Sequence, residues 1–313
     1  MTMRYLRQGA RGLAQLVVVL LAVSLAVFVL TQVAPGDAAR IRLGPRATPD
    51  ELDALRHQMG LDRPLFVQYV DYLARVLRGD LGTSVDGRPV VDIIAQGLGS
   101  TLWLLGGTVA LSVALAVALA WAGATHRDSP LDHGLRLVLL LSLFLPAFWV
   151  GFLLLRFIAI PTGWFPVSGL GSSPAELLRS LVLPSITGAV ALTPVLARSL
   201  RSSLVDVLGA EYVSVARSLG IAGPTLFWRH IVRNAAGPVV TLLALNVGYL
   251  LFGVVILEET FSINGVGSAL VKASATQDVF VVQGITLVFA VGVVFANAAG
   301  EFLSRLIDPR VVR

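Results

Sequence analysis

The sequence predicts an all-α integral membrane protein of six transmembrane helices, with a small helical extracytoplasmic insertion between the first two. Three observations carry this. Hydrophobic residues make up 56% of the chain, charged residues only 14%, and the mean hydropathy is +0.81, values foreign to a soluble domain of this length. Six windows reach the roughly 20 apolar residues that a hydrocarbon core about 30 Å thick requires. Basic residues, finally, are distributed with a strong sidedness.

The first window, Gly12 to Val33, follows Arg4, Arg7 and Arg11, which place the N-terminus inside. Its apolar run is longer than a cleavable signal sequence and no small-residue cleavage site follows, so it is expected to stay as an anchor. Residues 1–34 are thus a cytoplasmic tail and first span.

Residues 35–100 are the extracytoplasmic subdomain. Thr48, Pro49 and Glu51 spell a capping box with proline at the first helical position, and Gly60 ends that helix, whose Leu52, Leu55 and Met59 share a face. Pro64 opens a second helix with Leu65, Tyr69, Leu73 and Val76 or Leu77 on one face, stopped by Gly79. Asp80 to Ser84 and Asp86 to Pro89 read as turns. The pair can pack on the mouth of the bundle, dock an outer partner, or both.

Residues 101–308 form the membrane core, with spans Thr101–Ala124, Leu137–Phe157, Leu181–Leu200, Val239–Leu257 and Gln283–Leu303. Pro146, Pro184 and Pro194 are expected to kink the third and fourth. Gly284, Gly292, Ala296 and Gly300 fall on one face of the sixth, and Gly248 and Gly253 interrupt the fifth, where small residues let helices approach closely. The loops Ile158–Ser180 and Phe261–Val282 read as capping or re-entrant segments at the outer mouth. Six spans bring the tail 309–313 back to the cytoplasm. With this topology the inner segments hold the basic excess and the outer segments a slight acidic one, so the net +5 reflects orientation and lipid headgroups, with no nucleic-acid footprint.

Several chemistries are excluded. Lys272 is the only lysine and follows Val271, so the chain contains no phosphate-binding loop of the Gly-Lys-Ser/Thr type, and any ATP work belongs to another subunit. Cysteine is absent, and His57, His126, His133 and His230 lie in separate segments without ligand spacing, so no metal, cofactor or catalytic group is expected. Arg156, Arg198, Glu258, Glu259 and Glu301 sit toward span ends, where they can snorkel or pair. The spans otherwise lack the midplane charges of an ion-coupled carrier or intramembrane protease.

The polar island at 201–238 is the most informative segment. It begins with Glu211, Tyr212, Val213 and Ser214, continues through Ala216, Arg217, Ser218, Leu219, Gly220 and Ile221, and ends with Phe227, Arg229, His230, Asn234 and Pro238. A short helix, a glycine stop and a second amphipathic helix are expected, held at the cytoplasmic surface by a span on either side. Ala216 to Ile221 followed by a polar helix imitates a DNA-binding helix-turn-helix, but both ends are pinned to the bilayer, leaving no free domain to enter a groove.

At these residues the chain resembles the membrane subunits of bacterial ABC importers, in particular the dipeptide/oligopeptide/nickel permease group, over nearly its whole length. Pro35-Gly36-Asp37, Gly79 to Ser84 with Arg88-Pro89-Val90, Glu259-Thr260-Phe261 with Gly265-Val266-Gly267, and Asp308-Pro309-Arg310 extend the likeness. The long outer segment resembles the first of the paired permeases. The general coupling motif starts Glu-Ala-Ala; here Ser214-Val215-Ala216 stands there, and Glu211 is a nearby acidic residue that could substitute.

The resemblance implies the MetI-like fold and a non-catalytic subunit of a bacterial plasma (inner) membrane importer. Its implied partners are a second permease, two ATP-binding subunits and an extracytoplasmic solute-binding protein. In that picture Gly220 makes the turn, Ala216 and Ser218 give a close-fitting surface, and Leu219, Ile221 and Phe227 plug an apolar groove on the ATPase. Arg217, Arg229 and Arg233 pair with its acidic residues or face lipid headgroups. Di- and oligopeptides are the leading cargo, with nickel, glutathione or an oligosaccharide as alternatives. A self-sufficient ion-coupled carrier or channel, and a membrane-tethered scaffold, are the readings from other classes.

Overall fold

The computed structural model describes residues 17–30, 32, 38–43, 46–221 and 223–307. Among them regular structure is helical, apart from an isolated bridge between Thr83 and Pro89. Four helices are long and apolar enough to cross a membrane: α5 (Val90–Thr125), α9 (Pro174–Leu208), α12 (Arg233–Thr260) and the Val279–Gly300 part of α14 (Val279–Ile307). A fifth span exists if α6 (Pro130–Ser142) and the segment Ala147–Thr162 count as one. Helix α1 (Val17–Leu30) is the described portion of the first expected span, whose ends lie outside the described residues, as does the Asp308-Pro309-Arg310 motif.

The third span is not the single kinked helix expected. Its halves meet at 103° across residues 143–146. Pro146 has no N–H to continue the first helix and pushes Leu145 out of the helical region, so the chain turns and restarts as α7 (Ala147–Leu154), a π-helical turn (Leu155–Ala159) and α8 (Ile160–Thr162). Pro184 and Pro194 behave differently. Both are buried inside α9, which runs uninterrupted, as a helix bundle tolerates.

The described residues divide into two compact units. The first draws on Met1–Gly99 and Asn264–Val294. It contains α1, α2 (Ala38–Leu43), α3 (Pro49–Met59), α4 (Leu65–Leu77), the start of α5, α13 (Val266–Ala275) and the first half of α14. The capping box forms as the sequence implies: Thr48 N donates to Glu51 Oε2 at 2.8 Å, Glu51 N donates to Thr48 Oγ1 at 3.4 Å, and Gly60 closes α3 at φ +67°. The buried face of α4 is displaced from the expected one. Leu65 and Leu77 are 60% and 87% exposed, whereas Tyr72 is 6% exposed and packs with Phe28 and Tyr69. The Phe28 ring on α1 packs against the side of α4 that turns inward, a tertiary choice that periodicity alone does not contain. The turn after α4 is tied to the start of α14, where Asp278 accepts from Ser84 Oγ at 2.6 Å and Val85 N at 3.0 Å.

The second unit draws on Ser100–Ile263 and Phe295–Arg313 and holds the rest of α5, α6 to α9, α10 (Glu211–Ser218), α11 (Gly223–Thr225), a π-helical segment (Leu226–Val232) and α12. Leu104 and Leu105 on α5, Leu181 and Leu183 on α9, and Val254 and Leu257 on α12 form one apolar cluster. Glycines bring these helices together: a Cβ on Gly107 would meet Ser185 Oγ at 2.6 Å, and one on Gly188 would meet Thr108 Cγ2 at 2.6 Å. On α14, Gly300 lies against Ala244 of α12, while Gly253 faces open space.

Candidate functional site

Helix α9 extends eight residues past its expected end and stops at Leu208, so the island is shorter than the sequence suggests. Gly209 and Ala210 turn the chain into α10, with Glu211 in the first turn, where a carboxylate complements the helix dipole. Gly220 ends it at φ +78°, a left-handed conformation that a side chain adopts at a cost. Its N–H donates to Arg217 O at 3.0 Å, and Ile221 N–H donates to Ala216 O at 3.0 Å, satisfying carbonyls the helix end would leave orphaned.

The second amphipathic helix does not stand alone. From Leu226 the chain runs as a π-helical segment directly into α12, so Arg229, His230 and Asn234 begin the fifth span's own helix. Pro238, the last residue of the predicted island, sits inside α12.

The two faces of α10 divide the predicted residues sharply. Val213 (0% exposed) and Ala216 (6%) turn inward and pack with Ala120 and Ala124 of α5, Leu200 and Leu204 of α9, and Leu226, Ile231 and Ala235. Tyr212, Val215 and Leu219 are 43%, 57% and 74% exposed, and their i, i+3, i+7 spacing makes a single apolar ridge. Glu211, Arg217, Ser218 and Gly220 are also exposed. Asn234 Nδ2 donates to Tyr212 Oη at 3.2 Å, which bolts the base of the ridge to α12.

Phe227, expected to reach outward, is half-buried against Trp121 of α5, edge to face with ring centroids 4.7 Å apart. Ile221 is likewise half-buried and packs on the same cluster. A shallow cavity of about 500 Å³ opens beside them, lined by Trp121, Thr125, Arg217 and Phe227 among others. Val215 is the exposed residue that sequence reasoning passed over, although its place between Tyr212 and Leu219 in the helical period was visible. Trp121 carries no such local signal.

Charge locks the neighbouring helices. Asp132 on α6 is fully buried and accepts from Arg201 on α9, from Arg136, and from the backbone N–H of Asp128 at 3.1 Å. Among the described residues no group of three His, Asp or Glu could hold a metal ion.

In family comparisons, residues 112–313 match the binding-protein-dependent transport system inner membrane component, and residues 3–98 match the N-terminal component of the same system. A glutathione transport system permease protein of Salmonella choleraesuis (strain SC-B67) is 35% identical over 302 residues, covering 96% of this chain and 97% of that one. Its counterpart in Escherichia coli (strain K12) is 34% identical with the same coverage. A putative peptide permease protein of Brucella suis biovar 1 (strain 1330) is 34% identical, covering 93% of this chain and 94% of that one. Among solved structures, the crystal structure of an amino acid ABC transporter with histidines aligns at a TM-score of 0.51 and 16% identity, over 69% of this chain and 94% of that one, a likeness of fold.

Proposed function

This chain belongs to the binding-protein-dependent transport system inner membrane component family, and on that premise we propose that it carries short peptides inward by alternating access, pushed through α10 by partner ATPases. Membership makes it a non-catalytic, multi-pass inner-membrane permease subunit of a transporter that works with ATPase and binding-protein partners. The finer assembly is a second permease beside this one, two ATP-binding subunits below and a solute-binding protein outside. Six spans with both termini cytoplasmic suit it, since that topology sets Arg4, Arg7 and Arg11 and the whole of α10 on one side.

The observation that carries the reading is the two-faced α10. Its exposed ridge of Tyr212, Val215 and Leu219 offers an apolar key to a cytosolic groove, and its buried Val213 and Ala216 weld that key to α5, α9 and α12. Ala216 therefore serves coupling by transmitting load, and Ser218 and Leu219 by making contact. Because the π segment is continuous with the 28-residue α12, a displacement of α10 is handed to a rod about 40 Å long. Rigid-body rocking of that kind is how a local push becomes a change of access.

Peptide-type cargo follows from the named functions of the relatives, glutathione transport and peptide permeation. Glutathione is itself a tripeptide, so one cargo class covers both. The test is Gly220→Val in the assembled transporter. Membrane insertion should persist while ATP hydrolysis loses its link to peptide uptake. Coupled uptake at the normal rate, or uptake by this polypeptide alone in liposomes, overturns the reading.

A further inference from the structure

The unit built from α1, α3, α4 and the start of α14 lines a half-open cavity of about 390 Å³, within the roughly 300–1,000 Å³ typical of small-molecule sites. Its lining is unusual for a structural gap. Arg63, Arg75 and Arg78 face one carboxylate, Asp71, and the ion pair of Arg63 with Asp71 at 3.1 Å uses that carboxylate. Among the described residues neither Arg75 nor Arg78 has an acidic side chain within ion-pair distance; the Arg75 guanidinium instead lies 5.8 Å from the centre of the Phe280 ring.

The wall carries a second, independent sign. Tyr72 is 6% exposed and its hydroxyl meets no hydrogen-bond partner among the described residues. A buried donor left unmet is costly, and native structures keep one mostly where a ligand or solvent completes it. Burial also pushes the Tyr72 phenol up, so it stays a neutral donor across the physiological range.

We propose that this cavity binds the carboxylate end of a short peptide, with Arg75 and Arg78 as the charged partners and the Tyr72 hydroxyl as an added donor. A guanidinium fork matches a carboxylate's two oxygens, the Phe280 ring lies within cation–π range of Arg75, and the space accommodates a dipeptide. The proposal rests on the peptide-import reading. In the proposed topology it sets a holding point on the outer side, before the spans.

The experiment uses the full-length chain in phosphatidylcholine nanodiscs, melted with rising L-alanyl-L-alanine or its C-terminal amide. The dipeptide should raise Tm saturably and the amide should not. Arg78→Gln should weaken the apparent Kd at least tenfold, and Tyr72→Phe several-fold while leaving the ligand-free Tm equal or higher. An equal response to acid and amide, no saturable response, or unchanged affinity in both variants overturns the proposal. So does a response abolished by phosphatidylglycerol in the disc, which assigns the arginines to lipid headgroups. Dipeptide uptake by cells carrying the whole transporter separates the two levels: uptake that persists when the isolated chain shows no binding sinks the cavity and leaves the import reading standing.

Discussion

Arg201 on α9 grips both carboxylate oxygens of Asp132 on α6, Nε to Oδ1 at 2.7 Å and Nη2 to Oδ2 at 2.6 Å. The two residues are 69 positions apart, and the pair fixes the start of α6 to the C-terminal part of α9. Fork-on-carboxylate geometry also dictates direction, which a lysine's point charge does not. Gly123 of α5 completes the fit, since a Cβ there would lie 3.1 Å from Asp132 Oδ1 and 3.3 Å from Arg201 Nε.

Asp132→Asn should therefore destabilise the purified chain by about 2 kcal/mol, the usual cost of losing hydrogen bonds to a charged group. Arg201→Lys should lose part of the same amount, because one ammonium cannot replace two parallel bonds. Thermal melts of both variants and of the double variant check this: strong non-additivity is expected for groups in direct contact. Additive losses would mean that the two side chains do not act as a pair.

Val215→Asp and Leu219→Asp should each leave the stability in a thermal melt within roughly 0.5 kcal/mol of the parent, as exposed sites do. Both side chains project from the fold, at 57% and 74% exposure. If the ridge docks on a partner ATPase as proposed, either charge would enter an apolar contact unpaired, and uptake by the assembled transporter should fall at least tenfold while basal ATP hydrolysis persists. Val213→Asp on the opposite face is the contrast: it buries a charge among Leu200, Leu204 and Ile231 and should prevent folding altogether.

The difference between those faces shows what could be read from the chain alone. Span windows, the capping box at Thr48 and Glu51, and the glycine stop at Gly220 are local, and their physics is complete within a few residues. Which side of α10 or α4 turns inward is settled by partners distant in sequence: Trp121 and Leu200 for the first, Phe28 for the second. Hence Phe227 and Ala216, which the family resemblance sets among the outward contacts, pack within this chain, while Val215 emerges. Pro146 against Pro184 makes the same point. The residue is identical, yet exposed Pro146 follows a 103° break while buried Pro184 lies within an unbroken helix.

Glu258 offers a third test. Placed by sequence toward a span end, where it can snorkel or pair, it is 0% exposed and accepts from Thr101 Oγ1 on α5 at 2.6 Å. Thr101→Val keeps the shape and removes the donor, so a loss of about 1–2 kcal/mol is expected, with Thr101→Ser restoring most of it. On the proposed coupling, in which α10 drives α12, the same valine should also lower uptake more than its effect on the melt accounts for. Equal melts for valine and serine would show that the hydroxyl does not hold the carboxyl.

Gly97 and Gly99, two residues apart on α5, should respond to alanine in opposite directions. A Cβ on Gly97 would lie 2.7 Å from the carbonyl carbon of Gly265 and 2.8 Å from Val266 N, and both are backbone atoms that cannot rotate away. Overpacking against a fixed backbone costs about 1–3 kcal/mol, so Gly97→Ala should lower the melting temperature and loosen the start of α13. At Gly99 a Cβ would meet nothing within 4 Å. There alanine gains about 0.5–1 kcal/mol from helix propensity, and the variant should melt higher. A Gly97→Ala chain as stable as the parent would mean that α5 and the Gly265 turn do not approach as closely as these distances state.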